Sequence, residues 1–384
     1  MFGKGVELFK LFGFSVRVDA SWLIIAVLVV WSLTVGFFPE FYPDLSTNAY
    51  LAMGIAGGLG LFASIIFHEL AHSLVARGSG MEMRGITLFV FGGVAEMDEE
   101  PSTPAAEFTM AIAGPIASIL VAAASFGIWR AGETMGWPET VGGVFWYLGI
   151  INGVLAAFNL VPAFPLDGGR VLRSVLWGFL GSLRKATRIT AALGSGFGIF
   201  LVAMGVLNIL RENYIGGIWL ALLGLFVRAA ASGSYQQLLV RRVLEGEPIR
   251  RFVQPDVQTV EPDTNLRSFV EDYVYRHHFK MFPVVEDDRL VGCVSTRALR
   301  DVPREEWESR RIAEIVEPCS AGNTIDPDAD ALKVLSRMHQ SGASRMLVAR
   351  NGHLEGIISL KDMMRLIAVK LELEEGEENV VSEW

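Results

Sequence analysis

Six stretches of mostly apolar residues, each long enough to cross a bilayer as a helix, occupy the first 230 positions of the chain. A spanning helix needs about 20 such residues. The stretches fall at about 20–37, 50–76, 105–129, 141–163, 186–209 and 214–231. Thr103 and Pro104 favour a helix start for the third stretch, because they supply a cap and a first-turn proline. The pattern predicts a multi-pass α-helical membrane protein with six transmembrane helices.

A different pattern begins near residue 250, where two similar segments follow each other at an offset of about 64 residues. Phe282 aligns with Met346, and Ser295 aligns with Ser359. Each copy predicts the order strand, helix, strand, strand, helix, and therefore an α/β module. The resulting domain prediction is a membrane domain at 1–231, a linker at 232–250, repeat copies at about 251–310 and 311–371, and an acidic tail at 372–384.

The segment GITLFVFGGVAEMDEE at 85–100 lies between the second and third spans, and it is too short to cross a membrane. Its β-forming residues predict a small β-hairpin or re-entrant element, with a Gly92–Gly93 step. At membrane depth such backbone must be covered by protein or line a wet cavity. An exposed edge of the strand ITLFVFGG would pair with an extended peptide. Gly92 and Gly93 are therefore candidate substrate-binding or oxyanion-binding positions, and a purely structural hairpin is the alternative.

Composition and charge narrow the class of protein. The chain is 51% hydrophobic and 20% charged, whereas soluble domains carry about 25% charged residues. Its net charge of −9 gives no indication of a nucleic-acid-binding surface. Lysines and arginines concentrate in the loops on one side, which predicts a cell-membrane protein with both termini and the repeat module in the cytoplasm. The two cysteines fit a reducing compartment, and the N-terminus does not resemble a removed signal peptide.

The second span contains FHELAHS, which includes three residues that lipid disfavours. His68, Glu69 and His72 form H-E-x-x-H, and on a helix both imidazoles face one ion. Glu69 is then close enough to move a proton of a water at that ion. The alternative is a polar cap at the interface. With Arg77 at the membrane surface, however, the histidines lie roughly 8–14 Å below it, a depth at which ionisable groups are functional by default.

A catalytic zinc ion with one position kept for water needs a third protein ligand. Asp167, in NLVPAFPLDGGR at the end of the fourth span, is the candidate, and the alternative for it is a helix N-cap. Pro162 and Pro165 end the preceding helix, and Gly168 and Gly169 permit a sharp turn. The rival carboxylates stand in a charged run that looks solvated: Glu96, Asp98, Glu99, Glu100 and Glu107.

These motifs resemble the site-2 protease family of intramembrane metalloproteases. The matching stretches are FHELAHS, AGPIAS in the third span and NLVPAFPLDGGR, within a resemblance that covers roughly 15–230. The resemblance implies one zinc ion bound by His68, His72 and Asp167, with Glu69 as general base and acid. It also implies membrane-anchored protein substrates in the lipid bilayer.

Two further positions in this domain carry predictions. Asn159, eight residues before Asp167, is a candidate donor to the oxyanion, and a helix-to-helix hydrogen bond is its alternative role. Ser118 stands where relatives of this family often have Asn. The role of position 118 in this chain is therefore open.

The repeated segments resemble a tandem pair of CBS domains, a regulatory module that often binds adenine nucleotides. That family often has Asp three residues after the Ser or Thr that ends the third strand. The second copy keeps this pattern as Ser359 and Asp362, whereas the first copy has Ala298. The resemblance implies ATP or AMP as a regulator, with Ser359 and Asp362 as candidate nucleotide-binding residues, and a homodimer formed through the CBS domains.

The leading hypothesis is an intramembrane zinc metalloprotease regulated by its cytoplasmic CBS pair. One alternative is a CBS-regulated ion transporter that uses His68, His72 and Asp167 as an ion site. Transport predicts a continuous polar pathway and gives Glu69 no particular role. A second alternative is a catalytically inactive relative, which the intact H-E-x-x-H motif disfavours.

Overall fold

The computed structural model describes residues 6–81, 83–89, 92–97, 101–254 and 256–381. The chain divides into two compact units, Met1–Gln236 and Gln237–Trp384. Six helices, or continuous helical segments, are long and apolar enough to cross a membrane, and they confirm the predicted six-span domain.

The first span, Ala20–Phe41, consists of α1 (Ala20–Ser32), a π-helical segment (Leu33–Phe37) and α2 (Phe38–Phe41). The other spans are α3 (Thr47–Gly78), α4 (Pro104–Met135), α5 (Glu139–Asn159), α7 (Leu183–Leu210) and α8 (Tyr214–Leu244). A shorter helix, α6 (Asp167–Leu180), lies between α5 and α7.

Polar side-chain caps mark the starts of several of these helices. Thr103 accepts a hydrogen bond from the Ala106 amide with Pro104 at the first position of α4, as the sequence predicts. Ser46 caps α3 in the same way. α8 continues to Leu244, so much of the segment predicted as a linker is helical, and the division between the two units falls inside this helix.

A four-stranded sheet accompanies the helices of the first unit, in the order β1 (Val6–Leu11), β2 (Phe14–Val18), β3 (Met83–Phe89) and β4 (Gly92–Met97). The predicted hairpin is the antiparallel pair β3–β4. The N-terminal strands β1 and β2 are not part of the sequence prediction. The parallel pairing of β2 with β3 joins them to the hairpin.

This sheet corrects the expectation of an exposed edge for the first part of ITLFVFGG. The ITLF residues lie in β3, which has β2 on one side and β4 on the other, so β3 offers no exposed edge. Gly92 and Gly93 belong to β4, where they pair with Phe89 and Leu88. Among the described residues, β1 and β4 are the two edge strands.

The sheet packs against α3 beside the H-E-x-x-H motif. Phe14, Ile86 and Leu88 form a buried cluster with Leu70, which stands between the two histidines. Apolar burial therefore fixes the strand pair against the turn of helix that carries the motif.

The second unit contains two three-stranded sheets. The first has the order β5 (Met281–Glu286), β6 (Arg289–Ser295) and β7 (Glu317–Pro318). The second has the order β10 (His353–Ser359), β9 (Arg345–Arg350) and β8 (Thr324–Ile325). The helices are α9 (Leu266–Ser268) and α10 (Tyr275–His277), joined by a π-helical segment, then α11 (Ala331–Ser341) and α12 (Leu360–Val381).

The two repeat copies differ at their C-terminal helix. The second copy ends in α12, as predicted, whereas the first copy has only 3-10 turns at Ala298–Asp301 and Arg304–Glu306. α12 continues to Val381, so most of the predicted acidic tail is helical.

Candidate metal centre

Two histidines on α3 converge on one point inside the helical domain. The Nε2 atoms of His68 and His72 lie 3.2 Å apart, and both residues are more than nine-tenths buried. The i, i+4 spacing on one helix places both rings on the same face, as the motif predicts.

Asp167 completes the cluster from α6. Its Oδ2 atom lies 3.1 Å from Nε2 of His68 and 3.2 Å from Nε2 of His72. Asp167 is the first residue of α6, and the N-cap position belongs to Leu166, which makes no side-chain capping bond. The N-cap alternative for Asp167 is therefore wrong.

Close backbone packing holds the start of α6 in place. A Cβ atom on Gly168 would lie 2.3 Å from the Leu160 carbonyl oxygen, and one on Gly169 would lie 2.4 Å from the Phe164 nitrogen. Neither glycine has a positive φ angle. The expectation that this glycine pair permits a sharp turn is therefore wrong. Glycine is required at both positions because the preceding loop approaches the backbone too closely for a side chain.

The outer nitrogens of both rings have partners on α4. Nδ1 of His72 lies 2.7 Å from the Met110 carbonyl oxygen, and Nδ1 of His68 lies 2.9 Å from the Ser118 hydroxyl oxygen. A carbonyl only accepts hydrogen bonds, so Nδ1 of His72 carries a proton, and in the neutral ring Nε2 presents a lone pair to the cluster. Partners of this kind orient histidines that bind metals.

Gly114 lets α4 approach the cluster. A Cβ atom at this position would lie 2.2 Å from Nε2 of His72 and 2.6 Å from Nε2 of His68. Met110, Gly114 and Ser118 follow each other at intervals of four residues, so one face of α4 contacts both rings. The motif AGPIAS contains two of these residues, but the contacts depend on the packing of α4 against α3.

The three inward-facing atoms fit a zinc ion. Ligand atoms about 2.0–2.1 Å from a tetrahedral zinc lie about 3.3 Å from one another, close to the 3.1–3.2 Å separations between the three atoms here. A bound cation would be stabilised here by the lone pair of a neutral imidazole and the carboxylate oxygen of Asp167, which face the same point. Within the described ranges, these three residues form the one His, Cys, Asp or Glu group close enough to hold a metal.

The rival carboxylates do not join this cluster. Glu107 is fully buried and forms an ion pair with Arg173, so the expectation that it is solvated is wrong. The Glu96 side chain, and residues 98–100 with Asp98, Glu99 and Glu100, lie outside the described part of the structure.

Glu69 is half-buried beside the cluster and is not part of the ligand group. It directly follows His68 on α3, so it lies within one helical turn of both histidines. Asn159 is the half-buried last residue of α5. Its predicted role as an oxyanion donor stays a prediction, as does the role of Gly92 and Gly93.

The candidate nucleotide residues meet at the start of α12. The Asp362 amide donates to the Ser359 hydroxyl oxygen over 3.2 Å, and the Ser359 hydroxyl contacts the Asp362 carboxylate. The Gln254 side-chain amide donates to the other oxygen of that carboxylate over 3.0 Å. Asp362 thus has protein partners in this structure, and its role in nucleotide binding stays a prediction.

Comparisons with known proteins match both parts of the chain. The family model of peptidase family M50 matches residues 56–142 and 132–203, and that of the CBS domain matches 249–305 and 315–369. The chain is 34% identical to Rip3 of Mycobacterium tuberculosis over 380 residues, which are 95% of this chain and 93% of Rip3. It is 32% identical to sll0528 of Synechocystis over 367 residues, which are 95% of this chain and 96% of sll0528.

Both relatives are named as zinc metalloproteases. A solved structure, a site-2 protease from Methanocaldococcus jannaschii, is 28% identical, with a TM-score of 0.41, and the match covers 60% of this chain and 94% of that one.

Proposed function

Because the chain belongs to peptidase family M50, the zinc metalloproteases of the site-2 protease type, we propose that it hydrolyses peptide bonds in or near the transmembrane segments of membrane-anchored proteins. The observation that carries this proposal is the convergence of His68, His72 and Asp167 on one point within a six-span domain. A site buried among spanning helices favours substrates that are themselves in the membrane.

Residues of the site have distinct roles in the proposed reaction. His68, His72 and Asp167 would hold zinc, which supplies a Lewis acid for the scissile carbonyl and lowers the pKa of its water toward about 7. Glu69, the nearby carboxylate outside the ligand group, accepts a proton from the attacking water and returns one to the leaving amine. Met110 and Ser118 keep the imidazole rings oriented.

The substrate must present an extended backbone, because the carbonyls of a helix are hydrogen-bonded and shielded. We assign the docking role to the edge of β4, since β3 is covered on both sides. A substrate strand on β4 would satisfy the backbone groups that unwinding exposes. Gly92 and Gly93 at the start of β4 would let the substrate approach closely.

Two variants test the catalytic assignment in purified protein with single-span substrates. Glu69→Gln should bind zinc normally and lose cleavage by a factor of 100 or more, within the roughly 10²–10⁴ range of general acid–base catalysis. Asp167→Ala should lose zinc as well as cleavage. Glu133→Gln, which changes an exposed carboxylate on α4, serves as the control. Normal cleavage by Glu69→Gln would overturn the mechanism.

The described part of the structure offers no support for the transporter alternative. Within the described ranges, the ligand group lies at one point, and Glu69 has a place beside it. An ion-flux assay in vesicles separates the two functions, because the protease should give no zinc-dependent flux above that of protein-free vesicles.

We also propose that adenine nucleotides regulate cleavage through the CBS pair, with both termini and this module in the cytoplasm, and that the module forms homodimers. Ser359 and Asp362 at the start of α12 support a site in the second copy. ATP or AMP should change the cleavage rate of the intact protein but not that of Asp362→Ala. Equal rates with and without nucleotide would refute the proposal.

A further inference from the structure

A buried ion pair joins α4 to α6 apart from the ligand cluster. Nε of Arg173 donates to Oε1 of Glu107 over 2.6 Å, and an Nη atom of Arg173 contacts the same oxygen. The Glu107 residue is fully buried, and Arg173 is 4% exposed. Removing Arg173 alone would take this partner from a buried carboxylate, which is strongly destabilising in a low-dielectric interior.

Arg173 also contacts the segment that leads into Asp167. Its guanidinium lies 5.0 Å from the ring centroid of Phe164, three residues before Asp167. The Phe164 amide donates to the Thr190 carbonyl of α7 over 3.3 Å, which holds the same segment from another side. Arg173 therefore links α4 to the loop and helix that together place Asp167.

Glu107 belongs to the face of α4 that orients the histidines. Glu107, Met110, Gly114 and Ser118 are separated by three, four and four residues, so they lie along one side of the helix. Met110 and Ser118 contact the histidine rings, and Glu107 holds α6 through Arg173. One face of α4 thus contacts the two histidines directly. The same face is joined to α6, which carries Asp167, through the Glu107–Arg173 ion pair.

We propose that Glu107 and Arg173 are positioning residues for the metal centre, and that their ion pair sets the distance of the Asp167 carboxylate from the two histidines. The inference rests on the proposed metal site. An ion pair is suited to this role because its hydrogen bonds are directional, whereas apolar residues of similar volume would pack as stably without fixing one geometry. The residues do not touch the reacting atoms.

The first test changes the length of the pair and keeps its charges. Glu107→Asp shortens the acidic side chain by one methylene, so α6 must shift to keep the contact or the contact must lengthen. The expected result is a zinc dissociation constant about 10-fold higher, at the lower end of the roughly 10–100-fold effect of altering a direct partner of a metal ligand, because this pair acts one contact further out. The visible spectrum of the Co²⁺-substituted protein should change with it, because that spectrum reports ligand geometry.

The second test removes both charges. Glu107→Leu combined with Arg173→Met replaces the ion pair by apolar residues, which often preserves stability. A positioning role predicts near-normal thermal unfolding with weakened zinc binding. The control is the exposed Arg130–Glu133 pair on the same helix, 2.9 Å apart, with both residues changed to Gln. This control should bind zinc normally.

A normal zinc dissociation constant and a normal Co²⁺ spectrum in the Glu107→Asp protein would overturn the inference. If the double variant does not fold, the result for Glu107→Asp alone is decisive. Absence of stoichiometric zinc binding by the unaltered chain would instead refute the proposed function. The two failures are therefore distinguishable.

Discussion

The carbonyl oxygen of Met110 lies 2.7 Å from Nδ1 of His72. This contact requires a proton on Nδ1, so in the neutral ring the Nε2 lone pair is directed toward Asp167 and His68. The H-E-x-x-H motif brings two imidazoles to one helix face. The backbone of a different helix decides which nitrogen of His72 is available to a metal.

Ser118 should contribute to metal affinity without binding the metal. Ser118→Ala removes the partner of His68 Nδ1, which frees the ring to rotate, and the zinc dissociation constant should rise about 10–100-fold. Competition with a chromophoric chelator measures this constant. Ser125→Ala changes another buried serine of α4 and should leave it unchanged. Equal affinities for the two variants would exclude an orienting role for Ser118.

Gly114 should tolerate no side chain. Gly114→Ala places a Cβ atom 2.2 Å from Nε2 of His72, so the ring or the helix must move and zinc binding should be lost. Gly127→Ala is the matched control on α4, because nothing lies within 4 Å of its added Cβ. Metal content after purification distinguishes them. Stoichiometric zinc in Gly114→Ala would contradict the close approach of α4.

Glycines at the α7–α8 contact should be needed for stability. A Cβ atom on Gly205 would lie 2.6 Å from the Gly217 carbonyl oxygen, so Gly205→Ala should destabilise the protein by about 1–3 kcal/mol. Gly196→Ala, on the same helix in open space, should be neutral or slightly stabilising. Unfolding in mixed detergent micelles compares the two variants, and equal destabilisation would show that helix contact is not the cause.

The two cysteines should differ in reactivity. Cys293 is buried, and burial, with a further effect of Glu317, raises the pKa of its thiol to about 11, whereas Cys319 is exposed. Since the thiolate is the nucleophile, iodoacetamide at pH 8 should modify Cys319 and spare Cys293. Mass spectrometry of the peptides measures the modification at each cysteine, with Cys319→Ser as the control. Rapid alkylation of Cys293 in the folded protein would contradict the β6–β7 packing.

Local patterns predict the spanning helices and their caps well. An apolar run of about 20 residues has few alternatives to a membrane helix, and Thr103 with Pro104 determines a helix start through contacts within one turn. Repeat similarity likewise predicts two α/β copies. It misses the loss of the second helix in the first copy, where 3-10 turns follow Thr296 and Arg297.

Contacts between segments that are far apart in the chain cannot be predicted from local sequence patterns. β2 joins β3 across about 70 residues, and this pairing removes the exposed edge expected for ITLF. Glu107 looks solvated beside other acidic residues, yet Arg173 compensates its charge in the interior. The residues within one helical turn of Glu107 or of Arg173 do not indicate that these two side chains pair.

By itself, the sequence determined the six spans, the H-E-x-x-H helix face and the choice of Asp167 as a candidate third ligand, because each follows from helix periodicity or from the chemistry that a metal requires. Only the tertiary structure decided that Asp167 reaches the histidines, that Met110 and Ser118 orient the rings, and that β4 presents the sheet edge. Those relationships depend on helix and strand packing, which long-range burial and hydrogen bonding select.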